Sequence, residues 1–284
     1  MISSLFRYPI KQLMLSATIT VLSTISAAND LPKDTPESMG VSSERLKNLS
    51  SAMQRYIDAN MLAGTVSLVS RNGKIIHFDS QGWKDKESDE AMTDDTIFFI
   101  MSMTKPIVST ALMMLYEQGH FLLTDPITDW IPELQGKEVI VNDEFGTHRV
   151  PSDRPINFRH VLSHTSGLDP SRNELTQEEL KLLGRTNTLV ETILQRGPLP
   201  LAFHPGDSWQ YGSSTDYVAL LVERIAGVPL KDYLQRMIFD PLMMEDTFYV
   251  VPQEKRHRVS NVYSPSGPGQ TIELARTPEY SAQP

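Results

Sequence analysis

A mixed α/β (α+β) fold, with antiparallel strands interleaved among amphipathic helices, is predicted by three features of this sequence. Two strand-like runs, Ala63–Ser70 and Lys74–Ser80, flank Arg71-Asn72-Gly73, and Asn-Gly between such runs is the strongest short hairpin signal. Ahead of them, Ser43–Ala59 puts Leu46, Leu49, Met53, Tyr56 and Ile57 on one helical face. Behind them, Ile107–Tyr116 returns to helical spacing, with Ile107, Ala111, Met114 and Leu115 on one stripe and Gly119 as its C-cap. The chain therefore opens as helix, antiparallel hairpin, charged connection (Gly82 to Thr93) and helix.

The 284 residues suffice for one large domain or two modest ones. A content of 40% hydrophobic and 21% charged residues is that of a globular protein. The formal charge of -9 argues against non-specific nucleic-acid binding. There is no cysteine, so disulfides, thiol nucleophiles and Cys-ligated metals are all removed. Residues 1–28 read as an export signal: basic Arg7 and Lys11, the short apolar run Leu13–Ile25, and the small-residue site Ser26-Ala27-Ala28. Cleavage after Ala28 would leave a periplasmic or secreted protein, because no later run approaches bilayer-spanning length.

Further along, Gly136–Pro155 reads as a surface excursion and Ile156–Ser163 as a short helix. Gln177–Leu183 and Thr188–Leu194 are amphipathic helices. Pro205-Gly206 forces a turn before a helix over Thr215–Ile225 that Gly227 ends. Leu230–Ile238 is another helix, Asp246–Val251 returns as a strand, and the tail from Ser264 is rich in Pro and Ser with no closing element.

The chemistry centres on Ser102-Met103-Thr104-Lys105 at the start of the Ile107 helix, where Pro106 is tolerated. Lys105 projects from the face of Ser102 one turn on. A serine hydroxyl becomes nucleophilic only when a neighbouring base takes its proton, and a helix N-terminus favours the anion that develops. An isolated Ser-x-x-Lys is far more often a capping serine beside a solvated lysine. Tyr211 lies on a turn between helices. It can act as a base only where cations hold its phenolate, and otherwise it is an amphipathic lining residue. Ser213 with Asp216 has capping-box spacing. His160 and His164, four apart, lack the Glu of His-Glu-x-x-His, and no metal is expected. Neither Gly-x-Ser-x-Gly, a dinucleotide fingerprint nor a phosphate loop occurs, so no cofactor is expected.

An ordered set of motifs adds to this: Asp95-Thr96-Ile97-Phe98 before Ser102-Met103-Thr104-Lys105, His164-Thr165-Ser166-Gly167-Leu168, Pro205-Gly206-Asp207-Ser208-Trp209-Gln210-Tyr211, and Asp240-Pro241-Leu242 before Met244-Glu245-Asp246-Thr247. In this order they resemble the serine β-lactamase and penicillin-binding-protein family, closest to the class C-like branch that includes family VIII carboxylesterases. The resemblance covers nearly all of Leu31–Tyr263. It implies a serine β-lactamase-like fold, with an α/β part (29–101 and 239–284) around an antiparallel sheet and a helical part over 102–238. It also implies that Ser102 is the acylated nucleophile, Lys105 its proton-accepting partner and Tyr211 the base or acid. One oxyanion-hole N–H would come from Ser102 itself, and Ser213 and Trp209 are the candidate substrate-binding residues. Ser213 stands where class C β-lactamases carry asparagine, which favours simple esters over β-lactams. Met243 stands where a glycine is usual. The Lys-Thr-Gly-like strand of the family is not found, and members extend beyond this chain's last residue, so a truncated member is expected. The expected partner is a small-molecule ester or amide substrate. A catalytically impaired binding or relic protein is the alternative.

Overall fold

The computed structural model describes residues 31–184, 186–267 and 270–276; the predicted export signal lies outside them. Helix α1, Ser43–Asp58, starts where the Ser42 hydroxyl accepts the Arg45 N–H, so one orphan donor of its first turn is satisfied. It leads to strands β1 (Gly64–Arg71) and β2 (Lys74–Asp85), which pair antiparallel. Asn72 and Gly73 both take left-handed backbone angles, φ 51° and 72°, as a two-residue turn matched to strand twist requires. A short β3, Glu90–Ala91, completes a sheet in the order β1-β2-β3.

Two helices carry the core. Helix α2, Thr104–Glu117, buries Val108, Ala111, Leu112 and Leu115. Helix α6, Ser214–Ala226, is buried at Ser214, Thr215 and every position from Tyr217 to Val222. A helix apolar around most of its circumference belongs inside a protein, and α6 runs through the middle of the cluster that α2 also joins. Short helices α3 (Phe158–Leu162), α4 (Gln177–Lys181) and α5 (Leu189–Arg196) follow the expected order, and α7, Leu230–Leu234, follows α6. Beside α6, the ring of Phe158 stacks on Phe121 at 3.7 Å and meets Trp130 edge-on at 5.1 Å. No helix among the described residues is long and apolar enough to cross a membrane.

Several expectations are corrected. The excursion over 136–155 is a hairpin, β4 (Glu138–Asp143) with β5 (Gly146–Pro151). Buried Val139 and Ile140 tie it to the core, and Ile140 and Leu201 exchange strand-like bonds with their neighbours: Ile140 N–H to Leu201 O, 2.9 Å, and Leu201 N–H to Glu138 O, 2.7 Å. The segment 246–251 forms no strand. Asp246 is drawn into ion pairs with Lys255 and Arg258, and Val259 takes the place beside Ile97. The tail carries a hairpin, β6 (Val262–Pro265) with β7 (Ile272–Arg276). The helix over 230–238 loosens to π geometry at Gln235–Phe239. Just beyond it Met243 adopts φ 54°, the left-handed region that favours glycine.

Two outcomes follow. Phe158→Ala, which removes a fully buried ring, should cost about 3–5 kcal/mol in denaturant unfolding. Met243→Gly should raise stability by about 1 kcal/mol, because it relieves left-handed strain at a side chain that is half exposed.

Candidate active site

The packing of α2 on α6 sets the site. Ser102 lies in the 3-10 turn Met101–Met103 that opens into α2, and Tyr211 lies three residues before α6 begins. The two helices present their N-termini to the same place. Met101, immediately before Ser102, has φ 46°. A non-glycine residue held there is strained by about 1–3 kcal/mol, a cost that clusters at functional turns. The result is a serine displayed on the surface at the mouth of a helix.

Three of the five residues expected at the site meet. The Ser102 Oγ accepts a hydrogen bond from Lys105 Nζ at 3.1 Å and from the Tyr211 hydroxyl at 2.7 Å. Lys105 Nζ also sits 4.9 Å from the centroid of the Tyr211 ring. Hydrogen bonding to Lys105, and then to Ser102, lowers the Tyr211 phenol below its ordinary range. A cation that contacts both the ring and the hydroxyl region stabilises phenolate over phenol. The adjacency of Tyr211 to Ser102, 109 positions apart in the chain, could not be derived from spacing.

The other two stand differently. Trp209 is 64% exposed at the rim, its ring 6.4 Å from that of Tyr211. Ser213 precedes α6, but its side chain does not cap that helix. Its hydroxyl instead donates to Asp169 Oδ1 at 2.8 Å, and its N–H donates to Asp169 Oδ2 at 2.9 Å. The capping-box expectation for Ser213 is thereby corrected: a carboxylate from the preceding loop outcompetes the helix N–H groups for that hydroxyl.

That loop supplies the residues spacing did not disclose. His164 follows α3 with φ 57°, and its ring lies 4.9 Å from Tyr211. Its Nδ1 is buried with no hydrogen-bond partner among the described residues. Burial, reinforced by the Lys105 charge, lowers its pKa and keeps the imidazole neutral. His160 serves a different end: its Nδ1 accepts the Asn157 N–H while its own N–H donates to Asn157 Oδ1, a reciprocal cap on α3. Gly167 lets the loop lie flat, since a Cβ there would stand 2.5 Å from the Phe203 carbonyl oxygen. The loop motif was visible in the sequence, but nothing in the spacing tied it to Tyr211.

A match to the Beta-lactamase family runs over residues 49–282. The chain belongs to the beta-lactamase family. Among its beta-lactamase relatives, Esterase EstB of Burkholderia gladioli is 30% identical over 218 residues, 74% of this chain and 53% of that protein. Lovastatin esterase of Penicillium rubens is 30% identical over 233 residues, 78% of this chain and 57% of that one. The solved structure of EstCE1, described as a hydrolase with promiscuous acyltransferase activity, superposes with a TM-score of 0.69 at 25% identity, covering 85% of this chain and 60% of that one. The chain spans about half the length of the curated relatives it matches.

The phenol of Tyr211 can be read directly. In ultraviolet difference titration of the wild type against Tyr211→Phe, one phenol should ionise below the ordinary value of about 10. Cations favour the charged form, so the shift must be downward. A titration at or above 10 would remove Tyr211 as a proton acceptor.

Proposed function

We propose that this chain is a serine hydrolase that forms an acyl-enzyme on Ser102 and acts on esters, with amides as a less favoured class. The observation that carries the reading is the convergence of Lys105 and Tyr211 on a single exposed serine oxygen. In the phenolate form Tyr211 takes the hydroxyl proton of Ser102 as Oγ bonds to the substrate carbonyl carbon. The carbonyl oxygen becomes an oxyanion at the N-terminal end of α2, where the Ser102 N–H and the partial positive charge of the helix favour it. Collapse breaks the bond to the leaving group, and Tyr211 returns the proton to the departing alkoxide. Deacylation runs the same path with water: Tyr211 accepts its proton, the hydroxide attacks the acyl carbon, and Ser102 leaves with its proton restored. Lys105, on the same serine oxygen and beside the phenol ring, is the partner of Tyr211 in the proton shuttle.

Esters are preferred because Ser213 stands where class C β-lactamases carry asparagine. An alkoxide leaving group demands less protonation than an amine. The names of EstB and lovastatin esterase point the same way. Export beyond the inner membrane remains part of the proposal, resting on residues 1–28.

Intact-mass spectrometry after incubation with a fluorophosphonate probe should show one adduct in the wild type and none in Ser102→Ala, with peptide mapping to Ser102. An unmodified wild type would overturn the reading and favour the non-catalytic alternative.

A further inference from the structure

Tyr211 sits on a stretch, 209–213, that belongs to no helix or strand, yet a proton carrier must hold its oxygen within a few tenths of an ångström of the serine. What fixes it comes from the loop 164–169. The loop runs beside the chain that leads to Tyr211 and bonds to it step by step. Ala202 N–H donates to Gly167 O at 2.8 Å, Gly206 N–H to Thr165 O at 2.8 Å, and Gln210 N–H to His164 O at 2.9 Å. Beyond that point the backbone bonds end and Asp169 takes over. Its carbonyl oxygen accepts the Gln210 side-chain amide at 2.8 Å. Its carboxylate accepts both the N–H and the O–H of Ser213, at 2.9 and 2.8 Å.

The bonds of Asp169 therefore fall on residues 210 and 213, on either side of Tyr211. The residue between, Gly212, shows how closely the carboxylate is seated: a Cβ on it would lie 2.2 Å from Asp169 Oδ2. Any other side chain at 212 would expel the carboxylate. The buried hydroxyl pair Ser166–Ser214, at 2.9 Å, fixes the same loop to the first residue of α6, so the clamp is referenced to the core.

We propose that Asp169 is a positioning residue that clamps the Tyr211 turn from both sides and thereby sets the phenol against Ser102. This rests on the reading of Tyr211 as proton carrier. It also assigns the Ser213 hydroxyl to the clamp. That donor is spent on Asp169, so Ser213 meets a substrate as an acceptor only.

The test uses the full chain with 3-fluorotyrosine placed at position 211, in the wild type, Asp169→Asn and Ser213→Ala. Two quantities are read: the fluorine resonance of residue 211 and the rate of fluorophosphonate labelling at Ser102. Asp169→Asn removes the charge and keeps one acceptor oxygen, setting an amide donor where the other oxygen accepted from Ser213. It should shift or broaden the fluorine signal and slow labelling by about 100-fold, the effect of a displacement near 1 Å, while far-ultraviolet circular dichroism is unchanged. Ser213→Ala removes one bond of the clamp and should slow labelling by about fivefold, one hydrogen bond's worth. If Asp169→Asn does not fold, the Ser213→Ala spectrum and rate decide. An unaltered fluorine spectrum with labelling at the wild-type rate overturns the clamp. A wild type that does not label overturns the hydrolase reading instead, and the fluorine comparison still decides whether Asp169 holds the turn.

Discussion

The contact between α2 and α6 is the constraint on which the rest depends. It is a burial interaction: Ala111, Leu112, Leu115, Val218 and Leu221 lose almost all contact with water, and apolar area withdrawn from solvent is the largest favourable contribution to a fold of this size. Its geometry matters as much as its magnitude. Because the helices pack with their starting ends together, two residues far apart in sequence arrive within hydrogen-bonding distance. A small rotation of either helix would separate the phenol from the serine.

The electrostatics of the site is arranged around one cation. Lys105 contacts the serine oxygen and the face of the tyrosine ring, and its charge adds to burial in lowering the pKa of the neighbouring His164 imidazole. The neutral ring packs against the phenol without competing for the anion. Deeper in, burial raises the pKa of Asp216 in the first turn of α6, while Lys105 opposes that rise and Asp169 adds to it.

How much of this could be read beforehand differs by the range of the interaction. The α1 helix, the Asn72-Gly73 hairpin and the α2 stripe depend on neighbours in sequence, and they lie within a residue or two of their expected bounds, apart from the longer β2 and the start of α2, which comes three residues earlier. The β4–β5 hairpin was missed because its turn, Glu144-Phe145, carries none of the usual turn dipeptides and its strands are ordered by Leu201, far along the chain. Ser213 had the spacing of a cap and is instead held by Asp169, a competition between partners that no local pattern encodes. Ser102 and Lys105 were legible because one helical turn joins them. Tyr211 could be named from its motif, but its contact with Ser102 came only with the packing of α6.

The burial of α6 divides the molecule into what can vary and what cannot. Its apolar positions point into packed surroundings on nearly every side, so drift there would be removed by loss of folding. The side chains that ring the serine are of the opposite kind: Met101, Met103 and Trp209 are 57%, 69% and 64% exposed. They can change size and polarity without disturbing the helices behind them. Evolution, or a directed library, can therefore vary the rim while the contacts of Lys105 and Tyr211 with Ser102 are kept.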